Sequence, residues 1–427
     1  MNQVKDQYNN YVYPQPITDM KEAIANDGYI DFSDANLFWE KFFPEKKHSD
    51  KLKVFVAGCG TNQIIYLSLK NPNWELYGID ISENSIDFVK EQIKKYEIKN
   101  IKVDVKDIMD TDFVDEFDLV ISSGVIHHTV DPKKTLTKLV KATKLDGAIY
   151  IMVYGKYQRS GVYDLQKVFN YLGIQQNEEG INFIKEYLNN VIPSYHMGKI
   201  YFNNQTDKYD SGIIDTFLNY KDVAYYATDI EELLKGTGAF FQNWYDSLFF
   251  YPDVYFNGVE IDLKKISDLT IYEQADLTQR HLIQASKLDF ILRKNKSLEF
   301  IWHNISDLND ETRVKNSFFL GVAEKVNWKK EFGGQLYYKN HGGIRSIAFN
   351  LKEGVVWQSI IKGIEEEKNG LKIGDIHIKC NIIANEKNLN INLEKKELME
   401  ILHKMWKLSL VEFSKGYWSQ WMQTKQN

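Results

Sequence analysis

Val54-Phe55-Val56-Ala57-Gly58-Cys59-Gly60-Thr61 is an apolar run that ends in two glycines around one small residue. Lys53–Ala57 reads as a buried strand, and the glycines as a turn in which backbone can approach a ligand closely. A helix is expected from about Asn62. Working outward, the alternation recurs, with strands at Glu75–Ile79, Ile101–Val105, Asp118–Ser122 and Ala148–Val153. Ser82 is placed to cap a helix that carries Ile86, Val89 and Ile93 on one face. Asp131-Pro132 opens another helix, with Leu136, Leu139, Val140 and Thr143 on its face. The turn Leu145-Asp146-Gly147 is expected before the fifth strand.

Nearly continuous apolar strands between amphipathic helices predict an α/β fold with a Rossmann-like, doubly wound, mostly parallel seven-stranded sheet. Thr228–Lys235 reads as a further helix, and Ala239–Phe250 and Leu288–Leu292 supply the last strands. Five segments follow. Residues 1–50 form an N-terminal arm and helices that cap the ligand site, and 51–154 the ligand-binding core. Residues 155–225 form a helical insertion, or lid, and 226–295 the remainder of the sheet. Residues 296–427 form a smaller α+β domain, winged-helix-like in element order. Its strands are expected around Gln335–Phe349 and at Leu408–Phe413. Its helices are expected near Val355–Ile364 and through Leu398, Ile401, Leu402 and Met405. His341-Gly342-Gly343 reads as a turn.

The chain has 427 residues, 43% of them hydrophobic, and a formal net charge of −6. That balance excludes a broad electrostatic grip on nucleic acid or on an acidic membrane. Two cysteines, Cys59 and Cys380, are too few for a disulfide framework, and no His or Cys stands at metal-ligand spacing, so no metal is expected. The first residues lack the apolar run of a signal peptide, and no stretch is apolar enough to span a bilayer. A cytoplasmic location is expected.

In an open parallel sheet, ligands bind beyond the carboxyl ends of the strands. Gly58-Cys59-Gly60 follows the first strand. Asp80 ends the second, twenty residues after Gly60, the spacing at which a carboxylate meets ribose hydroxyls. Asp107-Ile108 follows the third, and Ser123-Gly124-Val125-Ile126-His127-His128 the fourth. A dinucleotide site would carry a third glycine where Gln63 stands, because the pyrophosphate rests against the helix N-terminus. The loop therefore favours S-adenosylmethionine over a nicotinamide cofactor.

The runs Val56–Thr61, Gly78-Ile79-Asp80-Ile81-Ser82 and Ser123–His128, with Asp131-Pro132, resemble the class I S-adenosylmethionine-dependent methyltransferases. Val153-Tyr154-Gly155-Lys156-Tyr157, Arg159-Ser160-Gly161-Val162-Tyr163 and Tyr11-Val12-Tyr13-Pro14-Gln15-Pro16-Ile17 resemble a bacterial subgroup with an N-terminal Tyr-Pro-x-Pro arm. By that resemblance Gly58, Cys59 and Gly60 line the methionine part, and Asp80 holds the ribose with Ile81 against the adenine. Asp107 and Ile108 meet the adenine edge, while Ser123 and Gly124 contact the methionine through backbone. The family's first motif often has an acid two residues before its first glycine; Val56 occupies that place here. The resemblance implies S-adenosylhomocysteine as the spent product.

Tyr8, Tyr11 and Tyr13 read either as packing or as a latch over the site, with Tyr11 and Tyr13 as the cofactor candidates. His127 and His128 are candidates for acid–base work, the alternative being a structural turn. Tyr154 is a further pocket candidate, and Arg159 is expected in solvent rather than on a substrate carboxylate. Tyr195, Tyr201, Phe202 and Tyr209 are expected either in the core of the insertion or around an acceptor. The expected reaction is transfer to a small-molecule acceptor. A protein or peptide acceptor recognised by the C-terminal domain, and a catalytically inactive binding module, are the alternatives. That domain would otherwise serve a homodimer.

Overall fold

The computed structural model describes residues 2–26, 28–204, 208–252, 255, 263–283, 285–317, 334–340, 343–367 and 370–416. They gather into two compact units. The first contains residues 1–34, 49–244 and 267–299, and the second residues 35–48, 245–266 and 300–427. The expected 1–50 segment thus divides between them.

The first unit is built on β1 (Lys53–Ala57), β2 (Glu75–Asp80), β3 (Ile101–Val105), β4 (Phe117–Ser123), β5 (Thr143–Tyr154), β6 (Phe240–Trp244) and β7 (Lys287–Arg293). They form one sheet in the order β3-β2-β1-β4-β5-β7-β6. Strands β1 to β5 run parallel, and β7 is antiparallel to both β5 and β6. Val54 to Ala57 are wholly buried, as are Leu119 to Ile121, because helices cover both faces. Order reverses at β1, where β2 lies on one side and β4 on the other, so a crevice opens at the ends of these strands.

Two local expectations need correction. Leu145-Asp146-Gly147 is not a turn before β5, because β5 starts at Thr143 and takes up the irregularity as a register shift opposite Phe117 and Leu119. The aromatic run from Ala239 is strand only to Trp244; the Asp246 side chain then accepts the amide of Leu248 and starts a short 3-10 helix. Thr228–Lys235 is helical as Ala227–Leu234.

The insertion after β5 is helical at Lys156–Tyr171, Glu178–Glu186, Met197–Asn204 and Asp210–Phe217. Val162, Leu165, Phe169, Ile184, Leu188, Ile214 and Phe217 close a core of its own. Phe202 joins that core, whereas Tyr195 is 80% exposed.

The second unit is α+β. Arg313–Asn316 is the central strand of an antiparallel trio with Leu371–Lys372 and Val411–Ser414. Helices Leu351–Glu366, Ile373–Glu386 and Lys395–Lys407 accompany it, with a hairpin Gly334–Asn340/Gly343–Phe349. His341 and Gly342 of the expected turn lie outside the described residues. Among the described residues no helix is long and apolar enough to cross a membrane.

Candidate active site

The turn after β1 forms because only glycine suits it. Gly58 and Gly60 adopt φ of 78° and 53°, in the left-handed region. A Cβ on Gly58 would stand 2.4 Å from Val125 Cγ2. The Gly58 and Cys59 amides both donate to the Ile79 carbonyl, which ties the turn to β2. Asp80, at the end of β2, accepts from the Gly60 amide at 2.9 Å and the Ser82 amide at 2.9 Å. Burial raises its carboxyl above the ordinary range, with these amides opposing the shift. Cys59 is buried, and burial beside Asp80 pushes its thiol well up, so it stays protonated and unreactive.

The N-terminal arm crosses this turn. The Pro14 carbonyl accepts from the Thr61 hydroxyl at 2.9 Å. Asn62 bonds the Gln15 carbonyl and the Ile17 amide. The Tyr8 carbonyl accepts from Ser82 Oγ. Tyr13 lines the cavity beneath, as does Tyr8. Tyr11 is turned away: its hydroxyl donates to the Gln176 carbonyl and its ring packs on the insertion core.

One cavity of about 1350 Å³ runs from the glycine turn to the insertion. Gly58, Cys59, Gly60, Asp80, Ile81, Asp107, Ile108, Ser123, Gly124, His128 and Tyr154 all lie on its wall. Asp107 uses Oδ1 to accept the Met109 amide.

The two histidines part company. His128 lines the cavity, with Nδ1 2.6 Å from the Lys221 carbonyl. A carbonyl can only accept, so Nδ1 carries a hydrogen, and in the neutral ring Nε2 is the nitrogen with the lone pair. His127 is fully buried behind it, ring to ring at 4.1 Å from both His128 and Tyr154. Neither of its nitrogens has a hydrogen-bond partner among the described residues. Burial, then His128 and Arg159, hold it well below the usual imidazole range, so it is neutral.

Arg159 is not in solvent as expected; it is 2% exposed and on the cavity wall. It donates to Tyr201 Oη at 2.7 Å and to Asp222 Oδ2 at 3.1 Å, and lies 3.8 Å from the centre of the Tyr154 ring. Tyr201 therefore faces the cavity, while Tyr209 packs near Tyr13. Ligand atoms of His127, His128 and Asp222 lie within 4.8 Å of one another. Arg159 already neutralises that carboxylate, however, and its charge opposes a further cation there.

Three carboxylates were missed by sequence reasoning. Asp215 accepts from Tyr8 and Tyr154, both at 2.8 Å. Asp222 holds Arg159. Asp31, from the arm, lies beside Gln63 at the start of helix Gln63–Lys70. No local pattern marks Asp215 or Asp222, because Tyr8, Tyr154 and Arg159 lie far from them in the chain; Asp31 bonds its neighbours Tyr29 and Ser33, and only Gln63 ties it to the site.

The donor-side residues fit an adenosyl ligand with an amino-acid tail. Asp80 presents a carboxylate for ribose hydroxyls, Ile81 and Ile108 offer apolar walls, and the side-chain-free turn leaves room for the tail.

Residues 48–176 match the family model described as a methyltransferase domain. An uncharacterized protein of Synechococcus sp. is 21% identical over 281 residues, which are 63% of this chain and 66% of that protein. A malonyl-(acyl-carrier protein) O-methyltransferase of Acetivibrio thermocellus is 27% identical over 106 residues, 25% of this chain and 36% of that protein. The chain spans less than two thirds of the length of either curated relative. The solved structure of PKMT2 from Rickettsia typhi shares the fold, with TM-score 0.57 and 14% identity over 90% of this chain and 75% of that one. PKMT2 in complex with AdoHcy gives TM-score 0.55 at 14% identity, over 86% of this chain and 72% of that one.

Proposed function

We propose that this chain, whose residues 48–176 form a class I S-adenosylmethionine-dependent methyltransferase domain, methylates a small metabolite or biosynthetic intermediate by in-line displacement. The observation that carries this reading is the single cavity joining the glycine turn and Asp80 to His128, Tyr154 and Arg159. Its volume exceeds that of an ordinary ligand pocket and leaves space for an acceptor beyond the donor.

The donor supplies an electrophilic methyl group on a positively charged sulfur. The protein's part is positioning. Asp80 would hold the ribose hydroxyls, Ile81 and Ile108 would pack beside the adenine, and Asp107 would accept from its amino group. The backbone of Gly58, Gly60, Ser123 and Gly124 receives the methionine part. Tyr8 and Tyr13 close the arm over the site and exclude water. For an oxygen or nitrogen acceptor, His128 Nε2 takes the acceptor's proton as the new bond forms, and Lys221 fixes the ring for that task. Tyr154 stays a neutral phenol, since burial pushes it well above its usual range.

Calorimetry with S-adenosylhomocysteine tests the donor site. Sub-millimolar binding is expected, with at least a tenfold loss in Asp80→Ala; no binding to the unaltered protein would sink the reading. Incubation with tritiated donor and a fractionated cell extract tests the acceptor. Label should enter the small-molecule fraction, and label only in protein would turn the assignment to a side-chain acceptor. His128→Gln should lower that turnover about 100-fold with donor affinity kept. Near-normal turnover would make the histidine structural.

A further inference from the structure

The donor's tail carries an α-ammonium group, and a buried ammonium needs a carboxylate or several acceptors. Strand β1 ends in Val56-Ala57 and offers none, while Asp80, already accepting from the Gly60 and Ser82 amides, has its remaining capacity assigned to the ribose. Of the other carboxylates on the cavity wall, Asp131 is paired with Lys134, and Asp107 and Asp110 follow β3, away from the glycine turn; Asp31 and Asp215 remain, with no cationic partner among the described residues. They differ in what is left to them. Asp215 has both oxygens engaged at short range, Oδ1 by Tyr8 and Asn219 and Oδ2 by Tyr154. Asp31 has its donors crowded on one oxygen: the Ser33 amide, the Ser33 hydroxyl and Gln63 Nε2 all reach Oδ1. Among the described residues, Oδ2 has only the Tyr29 hydroxyl, at 3.4 Å. Asp31 is 8% exposed, and burial raises its carboxyl above the ordinary range.

Position agrees with chemistry. Gln63 opens the helix that follows the glycine turn, so its bond to Asp31 holds this carboxylate beside that turn, on the wall of the same cavity.

We propose that Asp31, delivered by the N-terminal arm, is the carboxylate that binds the donor's α-ammonium group, doing from outside the glycine motif what that motif lacks. This rests on the reading of the cavity as an S-adenosylmethionine site. Asp31 is a binding residue, and Ser33 and Gln63 are positioning residues that hold Oδ1 so that Oδ2 faces the ligand.

The test compares two ligands that share nucleoside and sulfur. S-adenosylhomocysteine has the amino-acid tail, and 5′-methylthioadenosine has none. In Asp31→Asn, which keeps an oxygen for the Ser33 amide, affinity for S-adenosylhomocysteine should fall at least tenfold while that for methylthioadenosine stays within threefold. Equal affinity for S-adenosylhomocysteine, or an equal loss for both ligands, would overturn the assignment. Should the variant fail to fold, the unaltered protein carries the test: an S-adenosylhomocysteine analogue with hydrogen in place of the ammonium must bind at least tenfold more weakly, and equal binding refutes the proposal. If the unaltered protein binds none of these ligands, the donor reading itself falls, a result distinct from the loss of Asp31 alone.

Discussion

Replacing Gly58 by alanine puts a methyl group where Val125 already stands, and the cost can be worked out in two parts. The backbone at φ 78° costs an ordinary residue about 1–2 kcal/mol. The new Cβ would lie 2.4 Å from one Val125 methyl and 2.8 Å from the other, an overpacking that costs about 1–3 kcal/mol. The sum is about 2–5 kcal/mol. Val125→Ala should remove the second part and leave the first, so the double variant should show a coupling of about 1–3 kcal/mol in a mutant cycle. Because the chain has two units, the readout should belong to the first: urea dependence of hydrogen exchange in peptides covering β1 and β2. A Gly58→Ala protein within 0.5 kcal/mol of the parent, or a cycle with no coupling, would refute the packing of the turn on Val125.

Two other outcomes follow from buried charge. Asp222→Ala strands the Arg159 guanidinium and should cost about 3–5 kcal/mol, whereas Asp222→Leu with Arg159→Met should cost clearly less. Denaturation of the three proteins checks this, and a single variant no weaker than the double would contradict it. His127 enters the fold neutral, its pKa depressed below the free value of 6.5. Its contribution is therefore whole above 6.5 and is lost as pH falls below that value, because the unfolded chain gains a proton that the native one refuses. Between pH 7.5 and 5.5 that loss is at most about 1.4 kcal/mol, the limit for a ring that stays neutral throughout. His127→Leu should lack this loss, so it should appear as the difference in pH dependence between the two proteins; equal pH dependence would show that the ring takes up its proton in the fold as readily as in the unfolded chain.

The strands and the donor turn were readable because each is specified within a few residues. Val54–Ala57 is apolar throughout since both faces are covered, and Gly58 and Gly60 mark a turn that no other residue fits. Where local signals compete, sequence reading slips. Asp146-Gly147 looks like a turn, yet pairing with β4 draws it into β5. The aromatic run after Ala239 looks like one long strand, yet Asp246 caps a new helix. The acceptor side was scarcely readable, because its polar groups meet across long stretches of chain: Tyr8 reaches Asp215, 207 residues away, and Arg159 reaches Asp222, 63 away. An arginine between Gln158 and Ser160 looks solvent-facing until the tyrosines that bury it are known. The histidine pair was visible as a pair, but not which ring faces the cavity.

The division of labour along the chain bears on how such a protein can diverge. On the proposed reading, the cavity residues assigned to the donor come from the arm and from 58–124, while those at the far wall are His128, Tyr154 and residues of the insertion. A lineage could therefore exchange the segment after β5 and inherit a new acceptor with the old donor site intact. The inheritance has a condition: Tyr8 of the arm is hydrogen-bonded to Asp215 of the insertion. A transplanted segment that kept no acceptor at that point would leave the arm without its anchor on that side, so arm and insertion are expected to descend together.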